Sequence, residues 1–488
     1  MRPYSTWIAY ILFLLCVGCS SVGYKTSPSL IKFTDAQCNE LWHQFQRQVN
    51  SDESYDAQTY PLPNHEYFRI DRFLASFDFS LFSLKQRADW LNEAYRLGVK
   101  ARQIELDNSA SNISLDVFGN EVCIKREVKN LIGNESFWLG LAHEAEVPDN
   151  YIDWRQWLGI YPVFKPLINY QGKKLNASFK EQFGRYEADY PWRYYQLGAD
   201  SQESTTFIHA LLEKAKARSA LGLYRFSDEE QQTLFTHFAP VFEIEHSGLY
   251  DQPGELTWKG KHLQVKTEHP TVYTLLQHTR FNGKILPQLV YVIWFSERPK
   301  ENLLDIYGGK LDGLMWRVTL DEGGAVLLYD SVHPCGCYYK LFPNTEKLHY
   351  TGVQHDEEAL AVFPFVAEIN QRVTVSLNAR QHYVVNLDVP TSINTKKANI
   401  SHYMLAPYDD LRNLSFNSAS LGRSTKSMFA ADGLVEGTDR LERFLLWNTG
   451  VKSPGAMRQW GNHATAFIGR RHFDDPTFLD RYFEQVKH

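Results

Sequence analysis

The sequence predicts an α+β fold, a mostly helical N-terminal domain followed by a β-rich, mainly antiparallel domain. Three observations carry this. Before residue 240 apolar residues recur at three- and four-residue steps; after Pro240 they gather in short dense or alternating runs; and glycine-rich turn signals separate those runs. The chain has 488 residues, more than one ordinary domain of about 100–200 residues. The change of texture divides its body into 32–238 and 239–488.

The helical part begins at Phe33 and runs to about Leu106, with Phe73, Leu74, Phe77, Leu84, Ala88, Leu91, Ala94 and Tyr95 at helical steps. Asn108 to Cys123 is polar and predicts a loop or hairpin. Trp138 to Ile160 regains helical spacing and is rich in tryptophan, with Trp138, Trp154 and Trp157; Pro162, Pro166 and Gly172 predict a break over Tyr161 to Asn176. A helix is expected from Ser204 to about Gly222, and another after Ser227, an N-cap followed by the acidic first turn Asp228-Glu229-Glu230. In the β-rich part the predicted strands are Gln288–Phe295, Leu314–Leu320, Ala325–Tyr329, Arg372–Leu377 and His382–Val389, with a last helix over Thr477–Val486.

Hydrophobic content of 43% with 22% charged residues belongs to a globular protein with a real core. A net charge of -6 without any Lys/Arg block argues against a nucleic-acid partner. No fixed-period repeat is visible, which argues against a solenoid or propeller. The 12 tryptophans invite reading as sugar-stacking platforms or membrane-interface anchors. Since most of the aromatic rings lie inside strands and helical stripes, a core built from large rings is the expectation.

At the N-terminus, Arg2 precedes an apolar run, Trp7 to Val17, too short for the roughly 20 residues that span a bilayer. It ends in Cys16-Val17-Gly18-Cys19-Ser20-Ser21. Gly18-Cys19 resembles the lipobox of bacterial lipoproteins, with Cys16 standing where leucine is usual. The resemblance implies a signal peptide over 1–18, lipidation (palmitate among the acyl chains) at Cys19, and a tether over 19–31. With Ser20 and no aspartate after the cysteine, it implies an outer-membrane lipoprotein facing the periplasm, partnered by the membrane through its lipid anchor and by an envelope glycan or protein. That compartment is oxidising. With Cys16 removed and Cys19 lipidated, Cys38, Cys123, Cys335 and Cys337 remain, which allow three connectivities. The simplest is a Cys38–Cys123 disulfide, leaving Cys335 and Cys337 to each other or to a metal.

The chemistry-bearing stretch is Tyr329-Asp330-Ser331-Val332-His333-Pro334-Cys335-Gly336-Cys337-Tyr338-Tyr339. A strand ending here would place His333, Cys335 and Cys337 on one side, as i, i+2 and i+4 of an extended segment. Thiolate and imidazole are ligands for zinc or another transition metal, with His349, His269 or His382 as the fourth, and such a site could generate hydroxide for hydrolysis. Against it stand a strained, redox-active Cys335–Cys337 disulfide, two inert buried thiols, and a cysteine nucleophile. Near the C-terminus His463 and His472 are candidate catalytic bases, set among Arg458, Arg470, Arg471, Asp474 and Asp475. Ala464–Ile468 predicts a strand that holds the two histidines at opposite ends. No H-E-x-x-H, G-x-S-x-G, Walker or dinucleotide glycine pattern is present. The expected function is a cell-envelope lipoprotein, with metal-dependent hydrolysis at the His/Cys site as the enzymatic reading. A non-catalytic envelope binding or scaffold protein is the alternative, and thiol–disulfide exchange is a third.

Overall fold

The run Gln288–Phe295 is apolar on both of its faces, and a strand of that kind has to be covered on both. The computed structural model, which describes residues 36–110, 121–198, 203–302, 304–354, 357–366, 372–388, 399–418 and 423–486, covers it in this way. The strand extends to Lys284–Arg298 and lies inside an 11-stranded sheet. In chain order the strands of that sheet are β1 (Trp192–Leu197), β2 (Val241–Glu245), β3 (Thr271–Phe281), β4 (Lys284–Arg298), β5 (Gly309–Leu320), β6 (Val326–Val332), β7 (Lys340–Pro343), β8 (Ala361–Val362), β9 (Thr374–Leu377), β10 (Val384–Asp388) and β11 (Ile400–Pro407). Across the sheet they run β8-β7-β6-β5-β4-β3-β11-β1-β2-β9-β10. From β3 to β7 every pairing is antiparallel. The pairs β7/β8, β3/β11, β1/β11 and β2/β9 are parallel, so the sheet is mixed.

Alternate residues of β4 enter two different cores, as the two-residue period requires. Tyr291, Ile293 and Phe295 pack with Leu212 and Phe235 of the helices Thr205–Ala217 and Asp228–His237. Val290, Val292 and Trp294 pack with Trp460, Phe473 and Phe478 from the C-terminal segment. Both helices start where the sequence places them: Ser204 caps the first, and Ser227 forms a capping box with Glu230 on the second.

The fold is α+β with a β-rich C-terminal part, and from Asp35 onward the chain forms one compact unit. In the N-terminal part a third core gathers Phe79, Trp90, Leu91 and Trp138 around the helix Leu84–Asp107. Buried polar contacts stitch this part to distant segments. Asp56 receives Arg412 Nε at 3.0 Å and Gln459 Nε2 at 2.7 Å, and Asn462 Nδ2 donates to Ala57 O at 2.9 Å.

Three sequence expectations need correction. Tyr161–Gln182 is a continuous helix where a break was expected. Pro162 sits in its first turn, where a missing N–H costs nothing, and Pro166 forfeits a single bond, to the carbonyl of residue 162. The final helix is short, Phe478–Tyr482, and gives way to a strand, Phe483–Gln485. Ala464–Ile468 is no strand: the chain folds back, with an isolated bridge between Ala464 and His472 and a Phe473 N–H donated to His463 O at 3.0 Å.

The helix Tyr161–Gln182 crosses the place where the two ends of the curled sheet approach. Asn176 Nδ2 donates to Ala359 O at 2.8 Å, just before β8, and beyond the helix Gly184 N donates to Val385 O of β10 at 2.9 Å. Between them Lys340 of β7 donates to Val384 O of β10 at 2.6 Å, with its ammonium 3.8 Å from the centre of the Phe179 ring.

Candidate active site

β6 ends at Val332 and the chain turns at once. Gly336 N donates to His333 O at 2.8 Å and His333 N to Cys337 O at 3.0 Å. Gly336 has φ +87°, and a Cβ there would stand 2.3 Å from Ala464 O, so both the backbone angle and the close approach require glycine. The expectation that His333, Cys335 and Cys337 share one side of an extended segment therefore fails, because the segment is a tight turn. Both cysteines are free thiols; Cys335 is buried and Cys337 half-buried, and their side chains are hydrogen-bonded to each other.

The histidine faces a carboxylate. His333 Nδ1 lies 3.2 Å from Asp312 Oδ1 on β5, and His382 Nδ1 lies 2.8 Å from the other oxygen, Oδ2. His382 Nε2 is 3.3 Å from Asp251 Oδ1, close enough for an ion pair but off the line of a hydrogen bond. Asp251 is itself fixed by the backbone N–H groups of Ser247 (2.7 Å), Gly248 (3.1 Å) and Arg380 (2.7 Å). The result is a buried chain of alternating charge types: Asp251, His382, Asp312, His333. Burial opposes the charge on Asp312, yet the two histidines hold its carboxyl well below the usual carboxylate range. For His382 burial also opposes, but Asp251 and Asp312 raise its pKa, and its ring stacks on Phe295 with centroids 3.8 Å apart. For His333 burial wins, and its pKa is lowered.

Beside this chain, Arg298 at the end of β4 donates Nη1 to the hydroxyls of Tyr338 (3.2 Å) and Tyr383 (3.0 Å). Buried Glu442 titrates at about 7, since burial raises it against the pull of Arg298, Arg440 and Arg458. Arg458, also buried, donates Nε to Cys335 O at 3.0 Å. The hydrogen bond from Cys335 and burial together hold the Cys337 thiol well above its usual range, while Arg458 pulls the other way. Four non-glycine residues with left-handed backbone cluster here: Leu311 (φ 53°), Tyr338 (φ 60°), Arg380 (φ 69°) and His382 (φ 55°). Such conformations persist only where the surroundings over-determine them, and they gather at functional sites.

Among the described residues, no group of three or more His, Cys, Asp or Glu side chains is placed to hold a metal ion. His333 is engaged with Asp312, and the two thiols with each other. The zinc or other transition-metal centre expected at His333, Cys335 and Cys337 does not fit this donor arrangement. Of the three proposed fourth ligands, His382 does join His333, through Asp312; His349 lies on the short strand Leu348–Tyr350, which pairs with Phe483–Gln485, and His269 lies in the turn before β3.

Where the chain folds back, His472 bridges Ala464, the residue after His463, so the two histidines are brought near each other. Burial and Arg458 lower His463 to about 3, and it packs between Trp460 and Phe473. His472 lies 3.2 Å from Asp149 Oδ1 and edge-on to Tyr151. Cys19, the expected lipidation site, and the side chains of Cys38 and Cys123, the expected disulfide, lie outside the described residues. Sequence reasoning missed Asp251, Asp312, Arg298 and Glu442. For Asp312 a signal was present: an aspartate and a glycine stand directly before the apolar run Leu314-Met315-Trp316, and a charge buried at such a place needs partners. In comparison with known proteins, the chain matches no protein family, no characterised protein and no solved structure.

Proposed function

We propose that this chain is a cell-envelope lipoprotein, anchored through Cys19, in which Cys335 and Cys337 form a thiol–disulfide redox pair. The observation that carries the redox reading is the pair itself: two free thiols held together on a tight turn, one buried and one reaching the surface. Arg458 adds a buried cation, its Nε donating to Cys335 O at 3.0 Å. The lipobox-like Gly18-Cys19 supports the anchor.

The partner is a disulfide, R–S–S–R′. Cys337 loses its proton to solvent, and the thiolate attacks one sulfur, forming a mixed disulfide and releasing R′–S⁻. Cys335, deprotonated in turn, attacks the Cys337 sulfur, closes the Cys335–Cys337 disulfide and releases R–S⁻. Two electrons pass to the substrate, and the two thiol protons go to the leaving thiolates. With the Cys337 thiol held high, the thiolate fraction keeps growing above pH 8.5, the ordinary thiol value, and so does the exchange rate. A high thiol pKa also destabilises the thiolate form, which makes the pair reducing rather than strongly oxidising.

The test equilibrates the full chain bearing Cys19→Ser with glutathione buffers of graded potential, then counts alkylated thiols by mass. A two-electron transition is expected; Cys335→Ser traps a glutathione adduct on Cys337, whereas Cys337→Ser traps none. Thiols that stay unmodified at every potential would make them structural and sink the redox reading. Acyl labelling of the unmodified chain in an envelope-bearing host, absent in Cys19→Ser, tests the anchor separately.

A further inference from the structure

Helices on a protein surface normally turn their apolar stripe inward. The helix Tyr161–Gln182 is held by Tyr161, Asn176 and Phe179, which face the body: Tyr161 Oη donates to Phe467 O at 2.9 Å, Asn176 bonds Ala359, and Phe179 lies under Lys340. Its outward face is apolar as well. Val163 (68% exposed), Leu167 (56%) and Tyr170 (63%) follow at four- and three-residue steps along it. The short helix before it, Asp153–Leu158, buries none of its residues and exposes Trp157 at 83%. This surface continues onto a second segment. Gln156 Nε2 donates to Thr449 O at 2.7 Å and Ile152 N to Gly450 O at 2.7 Å, which brings up exposed Phe444 and Leu445. Single exposed apolar residues are ordinary on a protein surface, but a contiguous aromatic and aliphatic face marks an interaction site.

Charge identifies the occupant. The chain as a whole carries a net -6, yet residues 153–182 hold Arg155, Lys165, Lys173, Lys174 and Lys180 against only Asp153 and Glu181. Asp153 is already paired with Arg470. An outward apolar face with tryptophan and tyrosine, bordered by lysines on an otherwise acidic protein, has the composition of a helix that lies in a membrane interface. No helix among the described residues is long and apolar enough to cross a membrane, which is compatible with lying on one. We infer that the face formed by residues 153–170 and 444–445 docks onto an anionic lipid bilayer, independently of any acyl anchor.

The test uses the full chain with Cys19→Ser, so that no acyl chain contributes, and vesicles of phosphatidylcholine with or without a minority of phosphatidylglycerol. Co-sedimentation with the anionic vesicles is expected, weakened by salt, with a blue shift of tryptophan emission that Trp157→Ser reduces. Trp157→Ser and Leu167→Ser should each lower partitioning about tenfold or more. Both positions are exposed, so circular dichroism and the thermal midpoint should stay unchanged. Absence of vesicle binding, or binding that the two substitutions leave intact, overturns the proposal. Concentration-dependent self-association abolished by the same substitutions would assign the face to a second copy and overturn it equally.

Discussion

Among the described residues Lys340 has no carboxylate partner: its ammonium meets the Val384 carbonyl and the Phe179 ring, and burial lowers its pKa to about 7. An unfolded lysine titrates near 10.4. Between about pH 7 and 10 the unfolded chain therefore binds the extra proton, and stability rises with pH across that window, by at most about 1.4 kcal/mol per unit. Below about pH 7 the cost of burying the charge is fully present. In Lys340→Met that rise should vanish, so that denaturant titrations of the two proteins converge as pH goes from 7 to 10. A parallel offset at all pH values would mean the ammonium is not desolvated. Lys340 does not stand out in the sequence. His333, Cys335 and Cys337 do, because histidine and cysteine are rare and chemically conspicuous, whereas a buried lysine differs from a surface one only by what folds over it.

For single elements, the sequence was most legible where local physics decides. Ser204 and Ser227 cap helices because their side chains satisfy free N–H groups within one turn, whatever the rest of the protein does. Reading failed where a distant segment intervenes: the turn at Gly336 packs against the Ala464 carbonyl, a contact that spans more than a hundred residues of chain. Proline misled at Tyr161–Gln182, because its penalty depends on position within the helix and not on its presence. The Gly336 contact yields a prediction for this turn. Gly336→Ala places a methyl against the Ala464 carbonyl at an unfavourable positive φ, and should cost about 1–3 kcal/mol in denaturant unfolding. It should also speed alkylation of Cys335 in the folded protein. If stability and labelling are both unchanged, the turn is not docked as described.

For the molecule as a whole, the N-terminal helices and the β-rich part share buried ion pairs. Arg412 and Asp56 meet bidentately, both nearly inaccessible to solvent. Removing one partner leaves the other charge buried, which costs about 3–5 kcal/mol for such pairs; Asp409, which also contacts Arg412, holds the expected loss from Asp56→Ala to the lower end of that range. Because the pair joins segments more than 350 residues apart, calorimetry of this variant should still show a single transition, shifted to lower temperature. Early melting of the N-terminal part alone would mean that it folds as an independent unit.

The helix over the meeting sheet ends has one further consequence. The outer rim of β10 shows carbonyls that another strand could take up, and β8 at the opposite rim is two residues long. In place of a neighbouring strand, Gly184 and Lys340 occupy the carbonyls of Val385 and Val384. Exposed strand rims are templates for edge-to-edge aggregation. Gly184, just beyond the helix, and Lys340, whose ammonium lies against Phe179 of the helix, thus guard the sheet against recruiting copies of itself, and any change that lifts the helix off Lys340 will be felt first as loss of solubility.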